Sequence, residues 1–542
     1  MNDTIIPPWI WLKTPPPHLE QWAGGDIWDE RTIADLAFDL ADADPDFAAF
    51  VEGDTRMTRA DLLADAEALA AAMHARGLRP GEVIAFQVPN WREAAVINLA
   101  AAMSGLVVNP IVPIYRDHEV TQMLGDCRAR AFFVAAAFRN TDFAAMATRI
   151  RSDLADLAHV FTVRGEGEDD YAALLEEGRG RSFARPNVDP HGVKLVLYTS
   201  GTTGRPKGVL HSHVTLATIL RRSARHWGLQ AGEATLMPSP VTHVSGYANG
   251  LEAPLICGTQ TVLMESWNAA DALELIDRHA LVGTVAATPF LVELARVARE
   301  AQNPLPSFRF FACGGAAVPG DLIPAANAAF ANCRAFRVFG ASEVPLVTYG
   351  WPDDETLAAR TDGEIVDYTV RIVDDEDRDV PDGSEGEILA RGPGMLMGYA
   401  DETQTREAIT ADGYFRTGDL GVRSEEGALT ITGRKKDLII RGGENISAKE
   451  IEDVLHDHPA VREAAVVAMP HERLGEGVCA YVIGEADGLT AKALIDHVIA
   501  SGLAKQKTPE RFEFVDDFPR TASGKVRKDQ LRADVKAKVE AE

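Results

Sequence analysis

Between about residues 30 and 340, short apolar runs alternate with longer amphipathic stretches, and this alternation is the strongest constraint on the fold. Val83–Val88, Ala131–Ala135, Val193–Tyr198, Thr261–Met264 and Arg309–Ala312 have the length and apolar continuity of buried strands. Trp91–Met103, Ala269–His279 and Leu291–Arg299 carry apolar residues at helical spacing. Strands and helices in alternation build largely parallel sheets covered by helices, so an α/β architecture is expected. The texture changes near Gly363. Val366–Val373, Gly386–Ala390 and Ala428–Thr432 are short strand-like pieces between Asp, Gly and Pro turns, which predicts a small β subdomain from about residue 361. A second change comes at Arg434-Lys435-Lys436-Asp437. Beyond it, helical patterns (Ala448–His456, Ala491–Ile499) and apolar strands (Ala464–Ala468, Val478–Val482) form a tail long enough for an independent α+β domain. The expected division is 1–435 and 436–542.

Composition narrows the partners. Lys and Arg total 54 against 81 Asp and Glu, a net charge of −27 over 542 residues. Such a field repels polyanions, which argues against nucleic acid and anionic membranes, so a polyphosphate ligand needs a local basic site. Cys127, Cys257, Cys313, Cys333 and Cys479 are scattered and form no CxxC pair, so they read as core thiols of a reducing compartment. The longest uncharged stretch, Ala94–Ile114, contains Asn98, Ser104, Gly105 and Asn109-Pro110, which suit a buried helix running into a strand better than a membrane span. Met1-Asn2-Asp3 opens no signal peptide, and a cytoplasmic location is expected.

The most informative stretch is Tyr198-Thr-Ser-Gly-Thr-Thr-Gly-Arg-Pro-Lys-Gly208. Glycines let a backbone approach phosphate oxygens, hydroxyls and N–H groups donate to them, and Lys207 adds a point charge. Four residues on from Gly201 stands Pro206 where a Walker A loop needs Gly-Lys, so this is a different kind of phosphate loop. A mobile Gly/Thr surface loop would look the same in isolation.

Four further motifs follow it in order: Phe339-Gly-Ala-Ser-Glu343, Tyr414-Phe-Arg-Thr-Gly-Asp419, Gly433-Arg-Lys-Lys-Asp437 running into Arg441-Gly-Gly-Glu-Asn-Ile446, and Pro519-Arg-Thr-Ala-Ser-Gly-Lys525. Together the five resemble the adenylate-forming family of acyl-CoA synthetases, luciferases and nonribosomal adenylation domains, over nearly the whole chain. The resemblance implies a large N-terminal domain of two α/β subdomains plus the β subdomain, and a small mobile α+β C-terminal domain. It implies ATP and Mg²⁺ as cofactors. Thr199, Ser200, Gly201, Thr202, Thr203, Gly204 and Lys207 would hold phosphates, and Gly315, Ala316, Phe339, Gly340, Ala341 and Ser342 the adenine. Asp419 and Arg434 would hold the ribose, and Glu343 with Thr199 the magnesium. Lys525 would be the catalytic lysine, Lys436 the hinge, and Arg441, Gly442, Gly443 and Glu444 the loop that meets coenzyme A. His243, also a candidate catalytic residue, would stand at the carboxylate pocket, with Val244, Gly246, Ala312, Gly314 and Gly315 lining the acyl site.

The residues suit those roles chemically. Adenylation joins two anions, so a site must offset both, and an ammonium and a metal do so. A carboxylate accepts two hydrogen bonds from a ribose diol, and a guanidinium is a planar donor to ribose and phosphate oxygens. Bland alternatives exist for each. Asp419 could be a turn residue, His243 a structural histidine, and Lys525, beside Arg520, Arg527 and Lys528, part of a solvated basic face. His211 and His213 form an HxH pair without a third ligand, so zinc is not expected. Two departures from the family pattern stand out: Phe339 and Ser342 replace the commoner Tyr and Thr, and Thr361-Asp-Gly-Glu-Ile365 lacks the usual Gly-Arg-Pro-like turn.

Three functions compete: a ligase that passes an acyl group from acyl-AMP to coenzyme A, an adenylating enzyme that loads a carrier protein or amine, and a non-catalytic nucleotide-binding protein. Lys525, Glu343 and Asp419 together disfavour the last. No acidic residue lies between Met237 and Leu251, so an α-ammonium would lack its partner, and an apolar acyl group is expected. The reading is an acyl-CoA ligase with a small carboxylic acid, ATP and coenzyme A as partners, and no nucleic acid. Oligomeric state is open, a homodimer included.

Overall fold

The computed structural model describes residues 8–199, 206–314, 318, 322–442, 444–484, 489–521 and 524–541. Among them, two large sheets dominate the first three-quarters of the chain. One runs Arg334–Arg337, Phe310–Cys313, Gly283–Ala286, Ala234–Met237, Gln260–Leu263, Ala48–Glu52 and Thr55–Thr58 in spatial order, parallel except for the last hairpin. The other runs Gly398–Tyr399, Lys207–Ser212, Val193–Thr199, Val107–Pro110, Val83–Gln87, Ala131–Ala135 and His159–Val163. Its last five strands are parallel, while Lys207–Ser212 is antiparallel to both its neighbours. The expected α/β architecture is therefore present. Its strands are not contiguous by sheet, however, because Ala48–Glu52 leaves the N-terminal region to pair with Gln260–Leu263.

The uncharged stretch after Arg92 folds as the buried helix Arg92–Ser104 and the strand Val107–Pro110. Every helix residue after Arg92 is buried, and Gly105 ends it at φ +66°, where a side chain would be strained. Among the described residues, no helix is long and apolar enough to cross a membrane. Cys127, Cys313, Cys333 and Cys479 are buried free thiols, and burial pushes the Cys127 thiol up to about 12.

A third, antiparallel sheet follows: Thr369–Val373, Gly386–Arg391, Phe415–Arg423 and Leu429–Arg434. Its first strand starts three residues later than the apolar pattern suggests, because Asp367 takes a left-handed φ of +58° and breaks the extension. The turn at Thr361–Ile365 is held by ion pairing in place of the Gly-Arg-Pro pattern. Asp362 accepts from Arg337 Nε at 3.1 Å and Nη2 at 3.3 Å, and from the Ile431 amide at 2.8 Å. Gly363 follows at φ +113°, where a Cβ would lie 2.4 Å from the Gly350 nitrogen. Arg337 and Asp362 are both buried, so Asp362→Ala strands a guanidinium between two sheets. The expected loss is about 3–5 kcal/mol, read as a lowered urea midpoint.

From Ile439 onward the chain builds its own sheet, Glu444–Ile446, Ile439–Arg441, Gly475–Gly484 and Val461–His471, with Arg511–Phe514 parallel to Gly475–Gly484. Helices Ala448–His456 and Ala491–Ala500 cover one face, through Ile451, Leu455, Leu494 and Val498. Helix Lys528–Ala541 covers the other through Leu531 and Val535. These two apolar cores draw only on residues from Ile439 onward, which is what lets this unit hold together as a separate α+β body.

Candidate functional site

A cavity of about 1250 Å³ lies where the carboxyl ends of the two large sheets face the C-terminal unit. Its lining includes Thr199, Lys207, His243, Val244, Gly314, Gly340, Ala341, Ser342, Glu343, Asp419, Arg434, Lys436 and Lys525. Residues more than 300 positions apart thus meet at one place, as expected where ligands gather outside the carboxyl ends of parallel strands. Phe339 lines an adjoining cavity that shares Gly340, Asp419, Arg434, Lys436 and Lys525 with the first.

Each functional side chain has a local reason for its position. Asp419 and Arg434 are register partners in the antiparallel pair Phe415–Arg423 and Leu429–Arg434, and Arg434 Nε meets Asp419 Oδ1 at 2.8 Å. Burial pushes the Asp419 carboxyl up, while Arg434 and Lys525 hold it down. Lys525 ends a tight loop. The Thr521 amide donates to the Lys525 carbonyl at 2.7 Å, the Lys525 amide to Thr521 Oγ1 at 3.1 Å, and Gly524 stands at φ +84°. Desolvation lowers the Lys525 ammonium to about 8, helped by Arg434 and opposed by Asp419 and Glu343.

Glu343 is anchored by Tyr399, whose hydroxyl donates to Oε1 at 2.8 Å. Tyr399 pairs with Val209 on the strand that follows the phosphate loop, and Lys207 Nζ lies 5.1 Å from its ring centroid. One face of the motif Phe339–Glu343 is also tied to that strand, because His211 Nε2 lies 2.7 Å from the Ser342 carbonyl. Burial lowers His211 to about 4, so it is neutral, and with Nε2–H donating it serves as a brace between motifs. The segment Met237–Val241 is cradled by Asn90. Its Nδ2 donates to the carbonyls of Met237 (3.2 Å), Ser239 (2.9 Å) and Met264 (3.0 Å), and its Oδ1 accepts from the Val241 amide at 2.8 Å. His243, next to this cradle, is lowered to about 4 by desolvation and then by Lys525, so it stands neutral in the cavity.

Two residues expected in the acyl lining do not reach it. Ala312 is fully buried inside the strand Phe310–Cys313, with Val285 as its partner in the neighbouring strand, and Gly314 beyond the strand end lines the cavity instead. Gly246 is a packing glycine: a Cβ there would lie 2.1 Å from the Pro240 carbonyl oxygen. Nor do Arg441, Gly442 and Glu444 line the cavity. Arg441 Nε is held by Glu510 at 3.1 Å, the Gly442 amide donates to Leu474 O at 2.8 Å, and Glu444 accepts from Gln506 at 3.1 Å. Ser200, Gly201, Thr202, Thr203, Gly204, Gly315, Ala316 and Gly443 lie outside the described residues. Asn90, His211 and Tyr399 were not singled out as site residues from sequence. Their roles arise from contacts at long range, and only the HxH spacing drew attention to His211.

Lys436 occupies a short 3-10 turn, Lys435–Asp437, between two opposed clamps. Lys435 Nζ meets Glu387 and Asp375, each at 3.1 Å, on the N-terminal side. Asp437 accepts from Arg532 Nη1 at 3.0 Å on the C-terminal side.

A family model described as AMP-binding enzyme matches residues 38–400, and one described as AMP-binding enzyme C-terminal domain matches residues 450–525. The chain is 34% identical over 521 residues to the medium-chain fatty-acid–CoA ligase of Escherichia coli (strain K12), covering 94% of this chain and 91% of that protein. It is 31% identical over 525 residues to the 2,3-dihydroxybenzoate-AMP ligase of Bacillus subtilis (strain 168), covering 96% of each. The solved structure of ATP-bound MatB from Rhodopseudomonas palustris aligns with a TM-score of 0.82 at 28% identity, over 92% of this chain and 98% of that one.

Proposed function

We propose, for a chain that belongs to the AMP-binding enzyme family and is an ATP-dependent adenylating ligase, that the activated acyl group passes to the thiol of coenzyme A. In the first half-reaction a carboxylate oxygen of the acid bonds to the α-phosphorus of ATP. The bond to the bridging oxygen breaks, and pyrophosphate leaves. In the second, the sulfur bonds to the acyl carbon, the thiol proton is lost, and AMP leaves.

The observation that carries the reading is the meeting of Lys525, Glu343, Asp419, Arg434 and neutral His243 around one cavity. In our reading, the Lys525 ammonium meets charge developing at the α-phosphate, and Asp419 with Arg434 orients the ribose. His243, uncharged, offers a hydrogen bond to the acid without adding a cation beside Lys525. Magnesium fits the donors present. Tyr399 occupies Glu343 Oε1 and leaves Oε2 without a protein partner among the described residues, and Thr199 lines the same cavity. A few hard oxygen donors beside phosphates suit this ion. When bound it would neutralise phosphate charge.

Support for coenzyme A as the acceptor comes from the similarity to a fatty-acid–CoA ligase and from the lack of an acidic side chain between Met237 and Leu251. The test is pyrophosphate release over a panel of carboxylic acids, with thioester measured after adding coenzyme A. Acyl-AMP that persists with coenzyme A but is consumed by an amine or a carrier protein overturns the assignment of the acceptor.

The Lys525 ammonium gives a pH signature. The charged form does the work, and its pKa sits near 8 against an ordinary 10.5. Its charge is therefore lost as pH rises through that value. We expect kcat/KM for adenylation, which reports the free enzyme, to fall above about pH 8. Lys525→Arg should remove this limb, because a guanidinium stays charged throughout. Stopped-flow pyrophosphate release between pH 6 and 10 reads both.

A further inference from the structure

The cavity wall after His243 is an unusual helix. It is made of Val244–Gly246, a π-helical stretch Tyr247–Glu252, and Ala253–Cys257. A π-helical turn is rare, occurs mostly as a single-turn bulge within an α-helix, and is frequent at functional sites. Three faces of this run have separate jobs. Gly246 and Gly250 pack against the Met237–Pro240 segment, where a Cβ on Gly250 would lie 2.7 Å from Met237 Cγ. Tyr247 and Glu252 point into a dry ion-pair cluster. Lys194 Nζ, fully buried on the strand that leads to the phosphate loop, donates to Glu252, to Tyr247 Oη and to Asn98 Oδ1. This cluster fixes the run from behind.

The third face, Ser245, Ala248 and Asn249, lines the cavity. Asn249 Nδ2 donates to the Ser245 carbonyl at 3.0 Å, which orients the amide. The amide oxygen of Asn249 and the hydroxyl of Ser245 have no partner among the described residues. The same cavity is also lined by the apolar side chains of Val244, Ala286 and Leu346. A half-buried amide held in one orientation and left with an open acceptor is poorly suited to a plain hydrocarbon, which would strip its water and return no hydrogen bond.

We infer that the acid carries a hydrogen-bonding group, a hydroxyl or a ring or chain carbonyl, on its acyl portion, and that Asn249 with Ser245 reads it. This differs from the expectation of a wholly apolar acyl group and rests on the adenylating function proposed above. A hydroxyl would donate to Asn249 Oδ1, and a carbonyl would accept from the Ser245 hydroxyl.

The test uses matched acids, each hydrocarbon skeleton paired with analogues bearing a hydroxyl or keto group at successive carbons. Pyrophosphate release gives the kcat/KM ratio within each pair. Calorimetric binding of the same acids in the presence of a non-cleavable ATP analogue gives the ratio without turnover. We expect at least one polar analogue to be favoured about tenfold, and Asn249→Leu to bring that ratio close to one. Ser245→Ala, which keeps the Asn249 contact to the backbone carbonyl, should lower the ratio for keto acids. Hydrocarbon acids favoured throughout, or a ratio that neither variant moves, overturns the inference. Selective binding of polar acids without any pyrophosphate release supports it and overturns the proposed reaction instead.

Discussion

Lys525→Ala is expected to slow acyl-adenylate formation by about a hundredfold, on the order of 3 kcal/mol, and to leave thioester formation from supplied acyl-adenylate near its unmutated rate. The asymmetry follows from where charge develops. In the first half-reaction negative charge accumulates on the α-phosphate and on the leaving pyrophosphate, in a cavity whose other charged neighbours include the carboxylates of Glu343 and Asp419. Burial removes water from the ammonium and lowers its pKa, so it interacts through a medium that screens weakly. In the second half-reaction pyrophosphate is gone, and the bond that breaks is to AMP at the acyl carbon. Single-turnover assays of the two half-reactions, with the variant's thermal unfolding as a control for folding, separate the effects. Equal losses in both would remove Lys525 from the proposed role.

Lys436→Pro is expected to spare adenylation and to cut thioester formation on the order of a hundredfold, the scale of loss that misplaced reacting groups bring. In the present arrangement Lys525 is at the cavity, while Arg441, Gly442 and Glu444 are held elsewhere by Glu510, Leu474 and Gln506. One site that serves a carboxylate first and a thiol on a long arm second gains from withdrawing Lys525 between the two steps. Rotation of the C-terminal unit about Lys436 would do this, with the clamps Lys435–Glu387 and Asp437–Arg532 keeping the flanking residues with their own bodies. Proline fixes φ near −65°, within the range of the 3-10 turn that Lys435–Asp437 now forms, so the variant holds the arrangement with Lys525 in place. Unmutated rates of thioester formation from acyl-adenylate and coenzyme A would exclude a hinge at this residue.

The architecture class and the identity of the chemistry-bearing motifs are legible in the residue order alone. Strand and helix periods are local properties. Ala131–Ala135 and Ala448–His456 therefore coincide with their apolar patterns, and the other elements differ from theirs by a few residues at the ends. The five ordered motifs are local strings too, and Lys525, Asp419, Arg434 and Glu343 could be named before any contact between them was known. The interactions that close across long stretches of chain are fixed by the folded arrangement. The partner of Ala48–Glu52 lies some two hundred residues away, and a buried strand's pattern does not say which neighbour it will take. Tyr399 and His211 gain their roles from register and burial, because a hydroxyl or imidazole carries no sign in sequence of the carboxylate or carbonyl it will meet. Gly246 and Ala312 looked like pocket residues because they are small, yet smallness serves close packing as well as open space, and only the positions of Pro240 and Val285 distinguish the two. The π-helical turn is the extreme case. The Lys194 that meets Tyr247 and Glu252 stands 53 and 58 residues upstream, and the segment packed against Gly246 and Gly250 is Met237–Pro240, so the partners of this turn are set by the fold.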